Sequence, residues 1–196
     1  MKTNTQKIVT ASMLAALCCV ATMIIKIPSP LKGYINLGDC IVLLSGWLLS
    51  PAYGFATAGV GSALADLFSG YVVYAPATFI IKGIMSIIAH YCFKGMHNKF
   101  GNTPSRIIGG VLAEIEMILG YFVFEGFMYG FAPSVVNIPA NGVQGAAGLI
   151  IGLMLVKIFE KGKQIYFSPD TKEIRDYCKI ETDRLWDEVK RFENPH

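Results

Sequence analysis

Residues 7–27 read KIVTASMLAALCCVATMIIKI. Between Lys7 and Lys26 no residue carries a charge, and nearly all are apolar. A helix that crosses a bilayer needs about 20 mostly apolar residues, and this stretch supplies them. The run from Ile8 to Ile25 is too long for the apolar core of a secretory signal, and no polar mature domain follows it. It is therefore read as a retained spanning helix. The next residues, Pro28-Ser29-Pro30, stop it.

The rest of the chain extends the pattern. Of 196 residues, 53% are hydrophobic and 16% charged, where a soluble domain carries about a quarter charged. The mean hydropathy is +0.48. Charge is also uneven, since eight of the 14 acids lie between Asp170 and the end. This predicts one apolar body, residues 1–167, with a polar tail, residues 168–196, and no second globular domain. Five further apolar segments follow the first. They are expected at about 36–50, 51–70, 76–95, 105–130 and 139–160. Pro51 and Pro76 suit first helical turns. The second and third segments are short, and only Ser50-Pro51-Ala52 separates them.

Lys and Arg fix the orientation. Lys2 and Lys7 precede helix one. Lys94, Lys99 and Arg106 lie between helices four and five. Lys157, Lys161 and Lys163 follow helix six. The other side has only Lys26 and Lys32. The expected fold is an all-α membrane protein, a six-transmembrane-helix bundle in the plasma membrane with both termini cytoplasmic. The tail between Asp170 and Phe192 has a helical stripe of Ile174, Cys178, Leu185, Val189 and Phe192, with Trp186 at its edge. It reads either as an amphipathic helix on the inner membrane surface or a partner, or as a solvated helix.

Ionisable residues inside spans are costly and mark functional paths. Asp39 starts helix two, Asp66 lies one turn below the outer end of helix three, and Lys82 lies near the outer start of helix four. Glu125 is just over one turn from the outer end of helix five, and Asn141 and Gln144 open helix six. Five helices thus place polar groups at one depth, in the outer half. Asp66, Lys82 and Glu125 together point to an outward-facing pocket for a small polar solute, while Asp39 and Asn141 also suit helix N-termini. Their mixed charge suits a neutral heteroaromatic ligand bearing hydroxyl or amine groups, with Tyr74 or Tyr121 stacking on its ring. Glu114 shares a face with Tyr121 and Glu125, and Glu116 points nearly opposite. Two placements stay open for Glu114, the lower pocket or a pairing with Arg106 or Lys99.

Several chemistries find no support. There is no phosphate-cradling Gly-x-x-x-x-Gly-Lys-Ser/Thr loop. His90, His97 and His196 are dispersed, and the five cysteines (Cys18, Cys19, Cys40, Cys92, Cys178) lack metal-ligand spacing. No enzymatic reaction, cofactor, metal site or nucleic-acid patch is expected.

The ordered series Gly33-Tyr34-Ile35-Asn36-Leu37-Gly38-Asp39, Pro51-x-x-Gly54, Gly61-Ser62-Ala63-Leu64-Ala65-Asp66-Leu67 and Gly70-Tyr71-x-x-Tyr74-x-Pro76-x-Thr78-x-Ile80-Ile81-Lys82-Gly83 resembles the substrate-binding S components of energy-coupling factor (ECF) transporters, in the riboflavin-type branch. The resemblance implies a pocket open to the outside for a water-soluble vitamin or precursor, of riboflavin, pyridoxine or hydroxymethylpyrimidine type. It implies no ATPase of its own, and docking on one transmembrane coupling subunit and two ATP-binding subunits. It implies a lid at about residues 28–35, a coupling-subunit contact at Ala11 and Ala15, and ligand delivery by toppling in the bilayer. The expected substrate-binding residues are Asn36, Asp39, Asp66, Tyr74, Lys82, Tyr121, Glu125, Asn141 and Gln144. Two other classes compete. One is a membrane scaffold that recruits cytoplasmic partners through its tail. The other is a self-sufficient secondary transporter, for which no inverted repeat is visible.

Overall fold

The computed structural model describes the backbone of residues 4–28, 34–166, 176 and 178–187. The chain divides into two compact units, Met1–Leu155 and Val156–His196. Its elements in order are α1 (Asn4–Ile24), β1 (Ile27–Pro28), β2 (Tyr34–Ile35), α2 (Asp39–Leu48), α3 (Pro51–Phe68), α4 (Ala75–Phe100), α5 (Asn102–Tyr129), α6 (Phe131–Ser134), a 3-10 turn (Val135–Asn137) and α7 (Ile138–Tyr166).

The breaks have local causes. Ser50 is extended, as a residue before proline must be, and Pro51 opens α3. Gly101 and Gly130 end α4 and α5 with φ of +83° and +94°. A side chain there would be strained, and glycine is not. Two features were not expected. Helix one ends at Ile24, and Ile27 and Pro28 pair antiparallel with Ile35 and Tyr34. Between α5 and α7 the chain makes one short helix and a 3-10 turn rather than a loop. Pro133 and Pro139 both fall in first turns, where the missing N–H costs nothing.

Four stretches among the described residues are long and apolar enough to cross a membrane: Thr5–Ile24, Ala75–Phe100, Asn102–Tyr129 and Phe131–Lys161. The other two expected spans fall short. α2 has 10 residues, about 15 Å at 1.5 Å per residue, roughly half a hydrocarbon core. α3 has 18 residues but is diluted by Gly, Ala, Ser and Thr. Nine of the ten residues of α2 are buried, so this helix is packed by protein nearly all round and needs little contact with lipid.

Side-chain contacts give each helix a direction. Ala11 and Ala15 of α1 meet Thr57 and Gly61 of α3, so the two run parallel. Asp39 and Ser45 of α2 meet Lys82 and Ser86 of α4, again in parallel. Gly59 meets Phe79 and Gly83 meets Phe55, so α3 and α4 are antiparallel. Thr78 meets Tyr121, and Cys92 meets Gly109, so α4 and α5 are antiparallel too. Glu114 meets Gly145, and Gly110 meets Leu149, which sets α7 against α5. Hence the end of α3, the end of α5 and the starts of α2, α4 and α7 gather at one end of the bundle.

The polarity is inverted relative to a soluble domain. Asp39, Asp66, Lys82, Glu114 and Glu125 are buried, while Phe127 is 80% exposed, Ile24 74% and Met13 68%. An apolar exterior around a polar interior is what lipid requires. In the second unit, residues 178–187 are helical, and Arg184 reaches Glu181, one turn earlier, at 2.6 Å. Of the expected tail stripe, Ile174, Val189 and Phe192 lie outside the described residues, as does the boundary at Phe167. Leu185 and Trp186 are exposed.

Candidate functional site

At the end where five helix termini meet, the first unit forms a small, partly open cavity of about 30 Å³. Seven of the nine expected residues line it: Asn36, Asp66, Tyr74, Tyr121, Glu125, Asn141 and Gln144. Tyr34, Tyr71 and Thr78 complete the wall.

Asp39 and Lys82 are placed differently. The Lys82 ammonium is ion-paired with the Asp39 carboxylate, and the two side chains are 2% and 0% exposed. Neither lines the cavity. The second oxygen of Asp39 accepts from Gln144 Nε2 at 2.7 Å. Gln144 Oε1 in turn accepts from the Asn36 backbone N–H at 2.9 Å and from Asn36 Nδ2 at 3.3 Å. Asn36 Oδ1 accepts from the Gly38 N–H at 2.9 Å. A continuous network therefore ties the strand leading into α2, the start of α2, α4 and α7 together as the floor.

The walls are acidic and aromatic. Asp66 lies two residues before the end of α3, and Glu125 four before the end of α5. A carboxylate is disfavoured at the negative end of a helix, so neither is explained by helix stability. Asp66 Oδ1 accepts from the Tyr34 hydroxyl at 2.6 Å, and Glu125 Oε1 accepts from Asn137 Nδ2 at 2.8 Å. The second oxygens, Asp66 Oδ2 and Glu125 Oε2, are buried and have no hydrogen-bond partner in the protein. Tyr34 stacks at a tilt on Tyr71, centroids 4.7 Å apart, and Tyr71 meets Tyr74 edge-on at 6.3 Å. The Tyr121 hydroxyl is 3.1 Å from Thr78 Oγ1. Burial pushes the Tyr34 phenol above its ordinary pKa, and the Asp66 charge adds to the shift. It stays protonated and can donate.

Of the residues expected to form a lid, Tyr34 and Ile35 are held by the two-residue ladder; Ser29, Pro30, Leu31, Lys32 and Gly33 lie outside the described residues. Glu114, expected either in the lower pocket or paired with Arg106 or Lys99, does not line the cavity. It abuts Gly145 and Gly148 of α7 beneath the cavity, and neither oxygen is hydrogen-bonded. Arg106 packs over the Phe93 ring, 4.7 Å from its centroid. Ala11 and Ala15 are half-buried against α3, opposite Thr57 and Gly61, and do not line the cavity. The residues that sequence reasoning passed over were Tyr34, Tyr71, Thr78 and Asn137. The first three stand inside the quoted motif series. Asn137 carried no signal, because its turn was not anticipated.

The sequence matches the ECF-type riboflavin transporter S component family over residues 2–161. The chain belongs to that family. It is a membrane-embedded transport component of the ECF type, and the family is not one of enzymes. A solved structure described as the S component of a bacterial ECF transporter superposes on this S component with a TM-score of 0.68 at 26% identity, covering 83% of this chain and 99% of that one. A protein of Pyrococcus woesei, from a region 3′ of a gap gene, is 38% identical over 72% of this chain and 93% of its own length. The thiamine precursor transporter HmpT of Lactococcus lactis subsp. cremoris is 24% identical over 69% of this chain and 75% of its own. A short match to the nicotinate phosphoribosyltransferase C-terminal domain covers residues 151–196.

Proposed function

We propose that this S component captures a water-soluble vitamin or vitamin precursor from outside the cell in the cavity between Asp66 and Glu125. It then delivers the ligand inward on a module of one transmembrane coupling subunit and two ATP-binding subunits. The observation that carries this reading is the cavity itself. Polar and aromatic side chains from five helix termini converge on it, and Tyr34 from the segment before α2 caps it. Carboxylates buried inside a membrane bundle are costly and mark functional sites.

In this reading the bundle is inserted as six membrane segments with both termini cytoplasmic, α2 and α3 forming a short re-entering pair at its centre. The distribution of Lys and Arg supports that orientation. Asn36, Gln144, Asp39 and Lys82 hold the cavity floor, and Tyr74, Tyr121 and Asn141 contact the ligand. Ala11 and Ala15 leave a low ridge beside α3 where a coupling-subunit helix approaches. Residues 1–167 form the binding body, and the tail from 168 is separable from it. The chain has no phosphate-cradling loop, so the energy comes from the partners.

The test is uptake. Cells or proteoliposomes holding this chain with an ECF module should accumulate a labelled vitamin, and those holding the chain alone should bind it without accumulation. Accumulation by the chain alone would replace this reading with a self-sufficient transporter.

A further inference from the structure

Resting on that reading, we infer that the ligand is an aromatic ring carrying a cationic or amino nitrogen, held between Asp66 and Glu125, rather than a neutral, acceptor-rich ring such as riboflavin. The sequence pattern suggested a mixed-charge pocket with Lys82 balancing the two acids. The tertiary arrangement weakens that balance, although the Lys82 ammonium stays 5.5 Å from the Tyr121 ring centroid. Lys82 is spent on Asp39 below the floor and does not line the cavity. Among the described residues, the charged side chains that do line it are Asp66 and Glu125, and both are acidic.

Their hydrogen bonding sharpens the point. Each carboxylate is anchored through one oxygen by a neutral donor, Tyr34 for Asp66 and Asn137 for Glu125. Neither donor carries a positive charge. Each leaves its other oxygen buried and unpartnered, with the residues 4% and 3% exposed. A buried carboxylate oxygen without a donor is costly. A ligand N–H, above all a charged one, removes that cost on both sides. A ring that presents carbonyl oxygens and ring-nitrogen lone pairs to these oxygens adds repulsion instead, which is discrimination by an unfavourable contact. Tyr34, Tyr71, Tyr74 and Tyr121 surround the same space, and tyrosine faces attract cations as well as stack on flat rings. Among the described residues, Lys26 hydrogen-bonds Ser69 at 2.8 Å and sits over the Tyr34 ring, 6.0 Å from its centroid, without lining the cavity.

Direct binding to the purified full chain in detergent tests this, by calorimetry with four probes: hydroxymethylpyrimidine in its amino form, thiamine, pyridoxine and riboflavin. At least one of the two amine-bearing probes should bind more tightly than riboflavin by tenfold or more. Asp66→Asn and Glu125→Gln should each weaken that probe by roughly 10- to 100-fold, the range for a hydrogen bond to a charged group. Lys26→Gln should leave it unchanged. Riboflavin binding more tightly than both amines would overturn the inference and leave the vitamin-uptake reading intact. So would unchanged affinity in both acid variants. If either variant fails to fold, the ranking of the four probes on the unmodified chain decides alone, and binding of none of them also overturns it. Energised uptake, measured separately with the partner module, decides the broader reading.

Discussion

Lys82 and Asp39 form a buried ion pair that joins α4 to α2 under the cavity, and Gln144 of α7 closes it from the third side. Removing one charge of such a pair leaves the other uncompensated, at a cost of about 3–5 kcal/mol. Lys82→Met and Asp39→Asn should each lower the melting temperature in detergent sharply. The double variant should recover most of the loss, because no lone charge is left. Equal melting of the single and double variants would show that the pair does not hold the helices.

Tyr34 links the segment before α2 to Asp66 through a 2.6 Å hydrogen bond. Tyr34→Phe keeps the ring that stacks on Tyr71 and removes only the donor. A hydrogen bond to a charged group contributes about 1.5–3 kcal/mol. Ligand dissociation should accelerate by roughly tenfold or more, with little change in melting temperature. Stopped-flow release of bound ligand reads this directly.

Gly148 lies where a Cβ would come within 2.6 Å of the Asp39 Cβ, whereas a Cβ at Gly142, on the same helix, would meet nothing within 4 Å. Gly148→Ala should push α7 off α2, destabilise the fold by about 1–3 kcal/mol as overpacking does, and weaken ligand binding through Asp39 and Gln144. Gly142→Ala should be neutral or stabilising by up to about 1 kcal/mol, as alanine is the better helix former. Thermal melts of the two variants side by side test the close approach. Loss of stability at Gly142 alone would contradict it.

Ala11 and Ala15 meet α3 through their carbonyls. Thr57 Oγ1 donates to the Ala11 carbonyl at 3.3 Å, and a Cβ on Gly61 would sit 2.6 Å from the Ala15 carbonyl. Their methyls are only half-buried. Ala11→Trp with Ala15→Trp should abolish energised uptake while ligand affinity of the isolated chain stays within about twofold, since neither residue lines the cavity. Normal uptake in the double variant would remove this edge from the docking surface.

Removing residues 168–196 should leave ligand binding unchanged, because among the described residues the cavity is lined by residues between 34 and 144. Loss of binding in the truncated chain would tie the tail to the pocket. Loss of uptake alone would assign the tail to the partner module.

The membrane character of this protein was legible in residues 7–27 and in the crowding of acids beyond Asp170. Both are one-dimensional signals, since lipid demands long runs without charge. The gathering of Asp66, Glu125 and Gln144 at one end was legible too, because alternating helices return to the same side and depth can be counted along each. Direction around a helix could not be counted that way. Lys82 and Asp66 lie at similar depth, yet only the packing of α2 against α4 shows that Lys82 turns to Asp39. Likewise the short α2 read as a poor span, when it is a central helix covered by its neighbours. Asn137 reached Glu125 through a turn that no periodic pattern announces. Thus the sequence alone determined that the chain is a polar-cored membrane bundle with its chemistry at one end. The tertiary structure decided the charge of the pocket, because which acid a buried lysine neutralises depends on contacts between helices far apart in the chain.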